Sequence, residues 1–343
     1  MTRTARRRWT RELQNEVDGI AVGEKGPVLL HGYDQPAGGR WVDSAIPGKL
    51  GAYDRSSGEQ LWLSPCEVGY GRGFGAGFGA ANDALVLGPS SSGSSGHRIA
   101  RMSLDNGELI GVGEVPAFDE AAVWGDVCVC VSAKRVVAID STTLRVRWSY
   151  DREGERYHHL ARVGERVLVL YTQQATKKRG VLALDAASGD FQSIVLPPTA
   201  ARIHDLVVEP GALVLLIGDV TAALPNDALL ELLQKHPDKD AAELRGLALY
   251  AISPQKATSK PLWFDIFPTP DDEDDLPEVS ISSDNGKLYV IRNAFLEVRD
   301  ALTGRALGEW TVPGLDERVG WKVCQGAGVL AEETRVSVFE LPA

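Results

Sequence analysis

The feature that most limits what this chain can become is a unit repeated seven times along its 343 residues. Each copy begins with two hydrophobic runs separated by a short turn, usually containing Gly, Pro or Asn-Gly. The copies lie at 19–33, 79–89, 121–133, 160–172, 205–218, 279–292 and 321–333. Apolar runs facing each other across a tight turn predict a β-hairpin. A third run follows, ending in an acidic turn, and then a fourth that carries tryptophan. The spacing is clearest in 49–62 and 134–148, where Trp62 and Trp148 stand eight residues after Asp54 and Asp140. Related turns pair Asp185 with Gly189, Asp300 with Gly304 and Asp105 with Gly107, and Trp310 arrives two residues late. The copy at 247–263 is degenerate, with Ser253 in the acidic position, and the last, 335–343, stops at the C-terminus.

Such a turn has a physical logic. The Asp carboxylate caps backbone N–H groups, and the Gly four residues on takes the positive φ that other residues resist. A unit of four short strands cannot bury its apolar faces alone, so stacked copies must share a core. The expected fold is all-β: a seven-bladed β-propeller of four-stranded antiparallel blades, one domain over 1–343 with a helical insertion at about 225–245. The seventh unit lacks its Trp-bearing fourth strand, whereas 5–12 (ARRRWTRE) mirrors 144–151 (LRVRWSYD) with no unit before it. The N-terminal strand around Trp9 is therefore expected to complete the last blade, removing an exposed edge.

The Asp-x-x-Ser/Thr-Gly turn followed by Trp resembles the repeat of PQQ-type propellers, the quinoprotein dehydrogenase-like group. That group includes many non-enzymatic members, among them the propeller subunit of the bacterial outer-membrane barrel-assembly machinery. The resemblance spans nearly the whole chain and rests on structural residues. It implies the propeller fold, whereas quinone chemistry would call for an adjacent cysteine pair and a calcium-binding set. Cys66, Cys128, Cys130 and Cys324 include no adjacent pair, and none of the cofactor ligands is placed on this sequence. The chain is expected to belong to the non-enzymatic branch, with no catalytic residue, cofactor or metal.

Charge and hydropathy narrow the partners. A net charge of −11 and a pI near 5.1 repel phosphate backbones, so no nucleic-acid partner is expected. The basic start (Arg3, Arg6, Arg7, Arg8, Arg11) is not followed by the apolar run of a signal peptide, and no apolar stretch reaches membrane-spanning length. With four cysteines read as packed free thiols, these features lead to the expectation of a cytoplasmic bacterial protein with no membrane association.

Several residues are candidates for function. Asp18, Glu120, His159, Asp205 and Glu278 fall near the starts of first strands, which line the channel of a propeller. They form either a polar, mainly acidic cluster for a cation or basic group, or a solvated rim; the rim is the favoured reading. His158 and His204 lie nearby, yet no short metal-ligand spacing joins them to His159. In 225–244, Asn226 or Asp227 can cap a helix with a stripe of Leu229, Leu230, Leu232 and Leu233 ending before Pro237. That helix either docks a partner or folds back on its blade. Asp271, Asp272, Glu273, Asp274 and Asp275 form an acidic run suited to a basic surface, or a plain solvated loop. The Gly-rich 69–79 fits no phosphate-binding pattern and reads as close strand packing.

The leading reading is a non-catalytic protein–protein interaction scaffold or sensor subunit of a cytoplasmic multiprotein assembly, including a defence system. The alternative is a small-molecule or metal-binding propeller, enzymatic or not, using the channel mouth. A third reading is an envelope protein of the barrel-assembly type.

Overall fold

The computed structural model describes residues 3–23, 26–33, 47–69, 73–90, 96–176, 179–194, 203–218, 230, 233–234, 237, 246–253, 261–268, 279–292, 294–318 and 320–341. Seven four-stranded antiparallel sheets form, each from strands consecutive in sequence or joined across the termini, so the fold class is the seven-bladed β-propeller. Blades 1 to 6 occupy 16–69, 75–115, 120–150, 155–194, 203–268 and 279–311. Blade 7 takes three strands from 320–340 and its fourth from Arg6–Glu12. There Trp9 pairs with Val338 and Thr10 with Ser337, whose hydroxyls lie 2.8 Å apart. The expected completion of the last blade by the N-terminus is therefore observed. A second pairing was not foreseen: Arg3–Thr4 adds a parallel fifth strand to blade 6, with Arg3 opposite Trp310.

The chain divides into two compact units. One holds Ala5–Leu160, Ala186–Gly189 and Pro313–Ala343; the other holds Met1–Thr4, Ala161–Asp185 and Asp190–Val312. In both, second strands are among the most deeply buried elements. Val28–Tyr33, Val127–Val131, Ala212–Gly218 and Ala327–Glu332 have every residue buried. A sheet covered on both faces demands near-continuous apolar runs, which explains why these strands lack strict alternation. Each fully buried Val or Leu contributes about 1.5–3 kcal/mol. Cys128 and Cys130 sit in one such cluster with Leu85, Leu87 and Ile139, and burial pushes both thiols well above the usual range. Gly75 and Gly77, in the Gly-rich stretch, are packing positions. A Cβ at either would lie 2.8 or 2.6 Å from the Cβ of Ala121 or Val123 in blade 3.

The tryptophan–glycine pattern turns out to join neighbouring blades. Four fourth-strand indole N–H groups donate to a carbonyl in the next blade's turn. Trp9 reaches Arg55 O at 3.0 Å, Trp62 reaches Leu104 O at 2.8 Å, Trp148 reaches Ala186 O at 3.0 Å and Trp263 reaches Ala301 O at 3.0 Å. The turn glycine lies flat on the same indole. Gly58, Gly107, Gly189 and Gly304 have φ between 71° and 77°, and a Cβ on any would meet ring carbons at 2.5–2.8 Å. Glycine is thus required twice over, for its backbone and for the space the tryptophan fills. One exception supports the rule. The fourth strand of blade 2 has no tryptophan, and the glycine position of blade 3 is Leu144, held at φ 56°. Its side chain takes the vacant place, against Gly111 and Gly113.

The acidic turns are capped as expected. Asp54 Oδ1 accepts from the N–H groups of Ser56 (2.9 Å) and Ser57 (2.7 Å) and from both hydroxyls. Asp140 accepts from the N–H groups of Thr142 and Thr143, and Arg147 donates to its second oxygen. The Ser56 and Ser57 hydrogen bonds hold Asp54 down to about 2; the Thr143 N–H, aided by Arg147, does the same for Asp140. Because the folded value lies below the unfolded one, the stabilisation is complete above about pH 4 and is lost as pH falls toward 2. We therefore expect the urea midpoint to drop across that window. Asp140→Ala should cost roughly 1 kcal/mol at pH 6, after allowance for solvent screening, and flatten the acid limb. An unchanged acid limb would show that these caps are energetically silent.

Candidate functional site

Among the sequence-selected residues, Glu120 and His159 come together. Glu120 opens the first strand of blade 3 (Glu120–Trp124), and His159 lies within the first strand of blade 4 (Glu155–Val163). His159 Nδ1 is 3.6 Å from Glu120 Oε2, while Glu120 Oε1 accepts from the Leu160 N–H at 3.1 Å. His159 has φ 53°, a left-handed conformation rarely held by a non-glycine residue inside a strand, and its ring meets His158 edge-on at 5.3 Å. Both side chains remain partly exposed. Among the described residues, no group of three or more His, Cys, Asp or Glu side chains is arranged to hold a metal ion.

Asp18 is the extra residue at a register shift in its first strand, between Val17 and Gly19, whereas at the shift between Ile203 and Asp205 the extra residue is His204 and Asp205 pairs with Leu216. A bulge re-aims a side chain. Asp205 Oδ1 accepts the Leu206 N–H at 2.8 Å. Asp18 instead reaches His31, a residue passed over in the sequence. His31 is buried on the second strand of blade 1. Its Nδ1 donates to Asp18 Oδ1 at 2.5 Å, and its Nε2 faces the Val68 carbonyl at 3.3 Å. Both nitrogens thus meet acceptors, and only the imidazolium donates from both. Phe74 stacks on the ring, with centroids 4.6 Å apart and planes at 27°. Burial by itself lowers the imidazole pKa, but hydrogen bonds to Asp18 and Cys66 outweigh it and raise it to about 10. The signal was a lone ionisable residue inside the apolar run Val28–Tyr33.

In the insertion, Leu230 is 60% exposed, whereas Leu233 packs against the cluster of Leu215, Tyr250 and Ile252. Leu229, Leu232, Asp271, Asp272, Glu273, Asp274, Asp275 and Glu278 lie outside the described residues.

Seven four-stranded blades, tryptophan-on-glycine contacts at four of their junctions and Asp-capped turns define a PQQ-type propeller repeat protein. A family model described as outer membrane protein assembly factor BamB matches residues 46–230, more than half of the chain, and the chain belongs to that family. Among solved structures, BamB from Moraxella catarrhalis is similar with a TM-score of 0.54 and 12% identity, covering 98% of this chain and 97% of that chain. At that identity the likeness is one of fold. No curated protein matches the chain.

Family membership corrects the expectation of a cytoplasmic protein, since the family is described by outer membrane protein assembly. The features behind that expectation do not report a compartment. Cys66, Cys128 and Cys130 are free because they are buried among apolar side chains, which keeps a thiol inert wherever the protein resides. Nor does the absence of an apolar run after the first arginines locate the chain. Among the described residues, no helix is long and apolar enough to cross a membrane, which does not bear on attachment to one.

Proposed function

We propose that this chain is a non-catalytic protein-binding platform that acts in outer membrane protein assembly. The observation that carries this reading is the family match over 46–230. Loops carried on four-stranded blades are held by the sheets beneath them, which suits a subunit that binds other proteins. The insertion is the first contact to test, through the exposed Leu230, with Leu229 and Leu232 beside it in sequence. The acidic residues 271–275 would offer a complementary surface to a basic partner.

The test is purification of the tagged chain from cells of its own species, after separation of envelope and soluble fractions. We expect it in the envelope fraction, with outer-membrane assembly proteins in fixed ratio. Leu230→Glu should reduce that recovery at least tenfold and leave the thermal midpoint unchanged, because the side chain is exposed. Recovery from the soluble fraction without partners would overturn the proposal. A second reading, ligand binding beside Glu120, is favoured by the left-handed backbone of His159, since strain of that kind concentrates at functional sites. A small molecule released on denaturation, and lost with Glu120→Gln, would establish it.

A further inference from the structure

Fourth strands are the free edges of these blades, and a free edge invites another strand to pair with it. Most of them carry a guard. The blade 7 strand Arg6–Glu12 has four arginines, and Val146–Tyr150 of blade 3 carries Arg147. Pro65 interrupts Gln60–Gly69 of blade 1, and Trp263–Pro268 of blade 5 carries Asp265 and ends in proline. Phe191–Ile194 of blade 4 is only four residues long, and Ala306–Thr311 of blade 6 is already covered by Arg3–Thr4.

Blade 2 differs. Its fourth strand, Leu109–Val115, runs seven residues, contains no proline, lysine or arginine, and has its one charge, Glu114, next to its end. It pairs with His97–Ser103 on one side, with a register shift between Leu109 and Gly111, and among the described residues it ends the sheet on the other. Leu109, Ile110 and Val112 are 41%, 51% and 40% exposed, large values for three apolar residues in one strand. Behind them, Leu144 of blade 3 backs Gly111 and Gly113, so the strand is held in place before anything binds. The pairing at blade 6 shows that a fourth-strand edge of this chain accepts an added strand.

We infer that Leu109–Val115 is a docking edge for an extended segment of a partner protein, which adds to blade 2 as a fifth strand. The inference rests on the protein-binding reading above and names its surface. The occupant's chemistry follows from the strand. Unpaired ladder groups demand extended backbone, and the exposed Leu109, Ile110 and Val112 demand apolar residues in it. Glu108 and Glu114 lie just before the run and near its end, so basic residues beyond the partner's apolar core fit best. A second copy of the chain fits less well, because it brings the same glutamates and the same net charge of −11.

The experiment is hydrogen exchange on the full chain with a synthetic peptide of alternating valine and threonine bearing two lysines at each end. Exchange of the amides in 109–115 should slow at least tenfold, saturably, and the other fourth strands should not change. Ile110→Lys with Val112→Lys should abolish the protection, whereas Val146→Lys on blade 3 should leave it intact. Three results would overturn the inference: no protection, protection spread over several edges, or protection without peptide that grows with protein concentration, which marks self-pairing. Capture from cells separates this from the broader reading. If the double variant retains wild-type partners, the edge is wrong and the platform stands. If the wild type captures none, the platform fails, and the peptide measurement still decides the edge.

Discussion

Trp148→Ala is expected to lower the free energy of unfolding by about 3–5 kcal/mol, the range for deleting a buried large aromatic. The indole is buried and its N–H bonds the Ala186 carbonyl, so the variant loses apolar contact and strands an acceptor. The informative comparison is with Gly189→Ala. That substitution places a Cβ 2.8 Å from the Trp148 ring at a residue with φ 77°, costing about 2–4 kcal/mol from crowding and left-handed strain combined. In the Trp148→Ala background the crowding disappears, and Gly189→Ala should cost only the backbone part, about 1–2 kcal/mol. Urea unfolding of the four proteins therefore should show a coupling of at least 1 kcal/mol. Additive losses would mean that glycine is required only for its φ and that the two residues are not a unit. Leu144 makes the same argument in the native chain, since it tolerates a positive φ where no tryptophan arrives.

That coupling also shows how the fold was legible. The hairpins, the acidic turns and the Trp9 strand could be read because each local pattern repeats, and repetition separates a structural residue from chance. The reason for Trp standing eight residues after Asp was not legible. The partners of Trp62 and Trp148 are Gly107 and Gly189, one blade further on, and no pattern within a single unit points to them. The pairing of Arg3–Thr4 with blade 6 was equally hidden, because two residues carry no periodicity. Of the residues chosen near first-strand starts, Glu120 and His159 meet, whereas the surroundings of Asp18 were not foreseen. Its partner His31 sits on the neighbouring strand among Val28, Leu29 and Leu30, where apolar composition drew attention away from the one ionisable group. Compartment was beyond the residues altogether: burial accounts for three of the free thiols without reference to redox conditions.

The buried His31 leads to the other large effect. Asp18→Asn removes the carboxylate that offsets an enclosed imidazolium, and breaking a buried ion pair from one side costs about 3–5 kcal/mol. The histidine can escape part of that cost by releasing its proton, so the loss should be largest in acid and smaller above neutrality. In the wild type the folded His31 pKa is raised to about 10 from an ordinary value near 6.5. A raised value means that the pair's stabilisation is complete below about pH 6.5 and drains away as pH climbs toward 10. Wild-type thermal midpoints should accordingly fall over pH 7–10, and the Asp18→Asn protein should lack this slope and lie well below the wild type at pH 6. His31→Gln tests the same element from the other side: it can keep one donor to Val68 O or Asp18 and should flatten the alkaline limb. The groups facing the imidazole are Asp18, Cys66, the Val68 carbonyl and Phe74, so the Cys66→Ser protein is the necessary control. If Cys66→Ser removes the alkaline slope while Asp18→Asn retains it, the thiol and not the carboxylate sets the charge of His31. If His31→Gln also leaves the slope in place, the buried imidazolium has no part in it, and Asp18 serves the bulge between Val17 and Gly19 alone.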